Sequence, residues 1–116
     1  MFTIYHNTRC SKSRQALALL EEHVKQSGEE FSVIEYLKTP ITIDKIKSLI
    51  VQLECSAIDM MRTNETLFKQ LNLSNASEDR LIKAMFDNPK LIERPIISNG
   101  CKAIIGRPPE NINTLF

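Results

Sequence analysis

The opening of this chain leaves it few folds to choose from, because residues 1–37 read strand, helix, strand. Phe2 to Tyr5 form a short apolar strand, and Ser13 to Lys25 carry Ala16, Leu17, Leu20 and Val24 at helical spacing. Gly28 marks the helix end, after which Phe31 and Val33 fall on one face of a second strand, Phe31 to Leu37, with Glu35 continuing the alternation. A right-handed crossover of this kind makes the two strands parallel and lays the helix on one face of the sheet.

Beyond Thr39-Pro40 the period becomes helical. Thr42 is a good N-cap for a helix with Ile43, Ile46, Leu49, Ile50 and Leu53 on one face. Short helices follow over Ser56 to Met61, Glu65 to Leu71 and Glu78 to Phe86, the last capped by Ser77 with Glu78 and Asp79 in its first turn. Asn88-Pro89 closes this run. Ile96 to Ser98 and Cys101 to Ile105 flank Asn99-Gly100, a strong hairpin signal. Gly106 to Glu110 break the strand, and Asn111 to Phe116 form a final short helix after a proline start. The expected fold is therefore α/β, a four-stranded mixed sheet of thioredoxin-like order, β-α-β then β-β-α. It forms one domain over residues 1–116, with a helical insert at about 42–88 between the halves. A chain of 116 residues, 42% of them hydrophobic, is long enough to bury about two-thirds of its unfolded surface in one core.

In open α/β sheets ligands sit beyond the strand ends, so the first strand-to-helix turn is the expected active edge. That turn holds Cys10. Free N–H groups and the positive end of the helix dipole favour thiolate there, as do the neighbouring Arg9, Lys12 and Arg14, and thiolate is the reactive species. The same donors suit an oxyanion. His6 is placed either to stabilise the thiolate or to hydrogen-bond within the loop, and Ser13 and Arg14 either to bind the thiolate or anion or to cap the first turn. Pro95, directly before the third strand, is expected to be cis and to face this turn.

Composition bounds the partners. Fifteen basic against fourteen acidic residues give a net charge of +1, which argues against nucleic acid as a partner, so any anion site must be local. No apolar run is long enough to cross a bilayer and no leader pattern is present, so the expected location is the cytoplasm. Three widely spaced cysteines, Cys10, Cys55 and Cys101, fit a reducing compartment better than a disulfide framework. His6 and Cys10 have no second pair to complete a metal site, and no metal is expected. Cys55 and Cys101 lack an electropositive setting and read as bystanders.

Three arginines sit at element boundaries: Arg62 after Met60-Met61, Arg94 before Pro95, and Arg107 before Pro108-Pro109. Their forks donate paired, charge-assisted hydrogen bonds to oxyanions, and loops at a sheet edge are where binding groups concentrate. Spacing alone does not bring them together.

Several runs in this order resemble one family over essentially the whole chain: Tyr5-His6-Asn7 with Cys10-Ser11-Lys12-Ser13-Arg14, Met61-Arg62, Asn88 to Ile96, and Ile105 to Glu110. They resemble the glutaredoxin-dependent arsenate reductase (ArsC) family, and its chromosomal branch in particular. The resemblance implies a thioredoxin-like fold, a catalytic Cys10 with His6 nearby, and an oxyanion-binding trio of Arg62, Arg94 and Arg107. It also implies a reaction with no bound cofactor. Cys10 thiolate attacks arsenate, glutathione joins as co-substrate to reduce arsenic(V), arsenite leaves, and glutaredoxin clears the mixed disulfide. Thr8 departs from the proline the family commonly has there. Ser13 stands where the similar Spx-type regulators carry a second cysteine, and Arg14 comes only four residues after Cys10, against the Cys-x5-Arg spacing, six residues, of low-molecular-weight phosphatases. Two alternatives are a thiol-disulfide reductase or transferase acting on another substrate, and an Spx-like, non-enzymatic protein that binds a partner through the insert.

Overall fold

The computed structural model describes residues 1–116. Its four strands, β1 (Phe2–Tyr5), β2 (Phe31–Ile34), β3 (Ile96–Ser98) and β4 (Ala103–Ile105), lie in the order β2-β1-β3-β4. β1 runs parallel to β2 and antiparallel to β3, and β3 is antiparallel to β4, so the sheet is mixed as expected. Ile4 lies opposite Val33 on one side and Ile97 on the other, and Ile97 lies opposite Ile104.

Because side chains alternate across a strand, this register sorts the sheet into two faces. Phe2, Ile4 and Ile97 pack on Ala16, Leu20 and Val24 of α1 (Ser11–Ser27), together with Ile112. Tyr5, Ile96 and Ala103 join the larger core on the opposite face. That core is built by α2 (Ile43–Leu53), α3 (Thr66–Gln70) and α4 (Glu78–Asp87) through Ile46, Leu49, Phe68, Leu81 and Met85.

The caps explain where the helices begin. Thr42 Oγ1 accepts from Lys45 N–H, and Ser77 Oγ accepts from Arg80 N–H. Gly28 ends α1 in the left-handed conformation at φ 76°, where a Cβ is disfavoured.

Four expectations need correction. The first helix starts at Ser11 instead of Ser13, with Cys10 as its N-cap. The second strand stops at Ile34, because Lys38 and Thr39 N–H both donate to Glu35 C=O and turn the chain; Val33, on this edge, is exposed. The hairpin connection is four residues long, Asn99 to Lys102, because Asn99 Oδ1 accepts from both Cys101 and Lys102 N–H and only Gly100 takes a positive φ. The last helix is a 3-10 segment, Pro109–Leu115, beginning two residues early at Pro109. Ala57–Met60 and Pro89–Leu91 are 3-10 turns as well.

Candidate active site

Cys10 owes its position to the loop before it. Asn7 C=O accepts from Cys10 N–H, Asn7 Oδ1 accepts from Arg9 N–H, and Cys10 C=O opens the helix by accepting from Arg14 N–H. The free N–H groups of the first turn then point at Sγ. Burial pushes the Cys10 thiol up. That effect is outweighed by the backbone N–H of Ser13, the charge of Arg94, the backbone N–H of Lys12 and a hydrogen bond from Arg94, so the thiol lies below its ordinary value. Arg107 Nη1 is 4.0 Å from Sγ, a long contact, and the guanidinium acting on the thiol is that of Arg94. The side chains of Arg9, Lys12 and Arg14, expected to favour the thiolate by their charge, are not among the main causes of the lowered thiol pKa. All three are exposed, and Arg14 spends its guanidinium on Thr8 C=O at 2.9 Å.

His6 and Ser13 also take the more local of their two roles. Asn7 N–H donates to Ser13 Oγ at 3.0 Å, and Ser13 Oγ shares a 2.6 Å hydrogen bond with His6 Nδ1. Both side chains are buried, and they lock the loop without touching sulfur. Ser13 reaches the thiol through its backbone alone. Burial lowers the His6 pKa, Arg14 adds to this, and Glu35 opposes it, so His6 is neutral at pH 7.

A testable pH dependence follows from that burial. The unfolded chain binds the His6 proton first, so its contribution to stability is present above pH 6.5 and is lost as pH falls from there toward the lower folded-state value. His6→Leu should cost about 1 kcal/mol at neutral pH through the lost hydrogen bond. It should also flatten the fall in melting temperature between pH 7 and 5 relative to the parent, and an unchanged slope would remove His6 from the pH response.

The arginines converge through contacts that no sequence spacing reveals. Met61 and Ile92 form an isolated antiparallel bridge, with Arg62 N–H donating to Leu91 C=O at 2.7 Å and Glu93 N–H to Met60 C=O at 2.8 Å. This clamps residues 60–62 against 91–93 and sets Arg62 beside Arg94. Arg107 arrives from the end of β4, where Gly106 N–H donates to Pro95 C=O at 2.8 Å. All three line one cleft of about 160 Å³ with Thr63, Asn64 and Glu93. The Arg94–Pro95 peptide is cis, and so is Arg107–Pro108, which the sequence did not single out.

Two carboxylates offset part of this charge. Arg62 pairs with Glu65 at 3.2 Å and Arg94 with Glu93 at 3.7 Å. The i,i+3 spacing of Arg62 and Glu65 was a readable signal for the first. Arg94 Nε is buried with no partner, a donor held out of water beside the thiol. Tyr36 also belongs to the site and was missed. Burial pushes its phenol up to about 12, against the opposing pull of Arg94 and Arg62, so it stays protonated beside the cleft. Nothing in its sequence setting beyond an aromatic at a strand end marked it.

Cys55 and Cys101 stand apart. Burial, with Asp59 and Glu78, pushes the Cys55 thiol up, and Cys101 is exposed at the hairpin.

Known proteins match this chain along nearly its whole length. The uncharacterized protein YfgD of Escherichia coli K12 is 51% identical over 112 residues, covering 94% of this chain and 91% of its own. A protein named arsenate reductase in Neisseria meningitidis serogroup A is 44% identical over 116 residues, covering 97% and 96%. A solved arsenate reductase from Vibrio cholerae superposes with a TM-score of 0.89 at 43% identity, over 99% of this chain and 97% of that one. The fold is thioredoxin-like, and with residues 5–115 matching the family as a whole, the chain belongs to the ArsC family.

Proposed function

We propose that this protein is an arsenate reductase that works through the Cys10 thiolate with glutathione and glutaredoxin as electron donors. The observation that carries the reading is Arg94. Its charge acts on the Cys10 thiol while its own Nε stays buried and unpartnered at the edge of a three-arginine cleft. A tetrahedral oxyanion supplies the missing acceptor. Relatives named arsenate reductase at 44% and 45% identity support the choice of arsenic over other oxyanions.

In this reading Arg62, Arg94 and Arg107 hold arsenate, and Cys10 thiolate attacks arsenic(V) as one oxygen leaves as water. Glutathione thiolate then forms a disulfide with Cys10 sulfur. The two electrons released reduce arsenic(V) to arsenic(III), and arsenite departs. Glutaredoxin and a second glutathione return Cys10 to the thiolate and yield glutathione disulfide. No residue of the scheme requires a metal, and three free cysteines suit a reducing cytoplasm. No helix is long and apolar enough to cross a membrane.

The test is arsenite production from arsenate with glutathione, glutaredoxin and an NADPH-recycling system. Turnover is expected in the parent and in the Cys55→Ser and Cys101→Ser variants, and none above background in Cys10→Ser. A parent that forms no arsenite, with Cys10 still reactive as a thiolate, would leave a thiol transferase of another substrate.

A further inference from the structure

Arg94 and Arg107 reach the arginine cleft from the ends of β3 and β4, on one side of β1, and on the other side, toward β2, the loop before Cys10 lines a second depression of about 210 Å³. It is walled by the Cys10 loop itself, through His6, Asn7, Thr8 and Arg9, and by Glu35 and Lys38 from the turn after β2. The charges here are two cations and one anion, since burial keeps His6 neutral. Arg9 makes no ion pair. Lys38 meets only Glu35, at 3.4 Å, with both heads largely in water, and such a pair exchanges partners readily.

We infer that this depression is the docking subsite for glutathione, the thiol peptide that exchanges with Cys10. The inference rests on the reading of Cys10 as a thiol-redox nucleophile. Glutathione carries two carboxylates and one ammonium. Arg9 and Lys38 match the carboxylates and Glu35 the ammonium. Glutathione is a short peptide, roughly 10 Å or slightly more end to end because of its γ-glutamyl link, so one anchored against Thr8 and Arg9 can reach the next residue, Cys10, with its central thiol. The site also solves a problem of occupancy. With the oxyanion held by Arg62, Arg94 and Arg107, the second thiol must approach from the opposite side of sulfur. The larger groove of about 480 Å³ beside β4 is a poorer match, because Asp59 and Glu93 outnumber Arg107 there and repel carboxylates.

Thiol exchange isolates this subsite from arsenate altogether. Cys10 thiolate attacks glutathione disulfide, forms the Cys10–glutathione mixed disulfide and releases one glutathione thiolate, with no net redox change. Hydroxyethyl disulfide undergoes the same exchange but carries no charge. The double variant Arg9→Glu/Lys38→Glu should lower the rate constant for glutathione disulfide about tenfold, and should leave that for hydroxyethyl disulfide within about twofold. Asp59→Asn, in the β4 groove, should change neither. Equal losses with both disulfides would assign the effect to Cys10 itself and overturn the subsite. So would unchanged rates in the double variant, or a selective rate change in Asp59→Asn. A selective loss in the double variant, from a parent that makes no arsenite, would retain the subsite and remove the arsenate reading. Arsenite formation with unchanged exchange rates would do the reverse.

Discussion

Arg94→Ala is expected to lower arsenite production by roughly 10²–10³-fold, the scale of losing one preorganised charge-assisted donor from a reacting oxyanion. It is also expected to shift the pH profile of Cys10 alkylation by iodoacetamide upward. The two effects share a cause. Arg94 is the one guanidinium whose charge and hydrogen bond lower the Cys10 thiol, and it brings the only buried side-chain donor left without a partner. The sign follows from the acid. A lowered thiol pKa gives thiolate at lower pH, so removing Arg94 delays thiolate formation to higher pH. Arg94→Lys separates the roles, since it keeps a charge and loses the planar fork. It should preserve most of the alkylation profile and still lose most of the turnover. An Arg94→Ala variant with an unchanged alkylation profile would transfer the whole effect to the backbone N–H groups of Ser13 and Lys12.

Gly106→Val should destabilise the protein by about 3 kcal/mol, the upper range for overpacking a filled core. A Cβ at Gly106 would stand 2.9 Å from Pro95 Cγ, 3.2 Å from Ile97 Cδ1 and 3.4 Å from Ala16 Cβ. Pro95 Cγ and Ala16 Cβ cannot rotate away, and Ile97 Cδ1, though a terminal methyl, belongs to a fully buried side chain. Pro95 is a closed ring directly after Arg94, Ile97 lies in the central β3, and Ala16 sits on α1 six residues after Cys10. Relief therefore pushes on the arginine and the nucleophile together, and arsenite production should fall even at temperatures where the variant is folded. Gly106 has no left-handed φ, so the cost is steric. Gly100, at φ 97° with open space around it, is the opposite case, where a Cβ meets no atom but the backbone resists it. Thermal melts of Gly106→Ala and Gly106→Val should be graded in that order, and a Gly106→Val protein as stable as the parent would show that Pro95 can move.

Much of this architecture was legible because local patterns and tertiary structure agree. The apolar run Phe2 to Tyr5, the helical spacing from Ala16 to Val24 and the caps at Thr42 and Ser77 each named an element that exists. The strand after Phe31 was read too long because Glu35 continues the alternation of Phe31 and Val33, whereas the chain turns at Glu35 and Tyr36 reaches the core from that turn. Cys10 stood out from its position at a strand-to-helix turn. The source of its perturbation did not, since the cations adjacent in sequence are exposed and the effective one, Arg94, is 84 residues further along the chain. The meeting of Arg62 with Arg94 depends on the Met61–Ile92 bridge, a pairing of two residues with no strand signal around them. Such single contacts leave no period in a sequence.

The two faces of the sheet support different parts of the candidate site. Cys10 caps α1, which is seated on the smaller core of Phe2, Ile4, Ala16, Leu20, Val24, Ile97 and Ile112. Arg62 and Arg94 are moored beyond the sheet by Met60, Met61, Leu91 and Ile92, all within the larger core. Arg94, held from the larger core yet acting on the Cys10 thiol, joins the two foundations at the cleft. A change in the larger core would therefore reach the thiol through Arg94, while the helix that follows Cys10 stays seated on the smaller one.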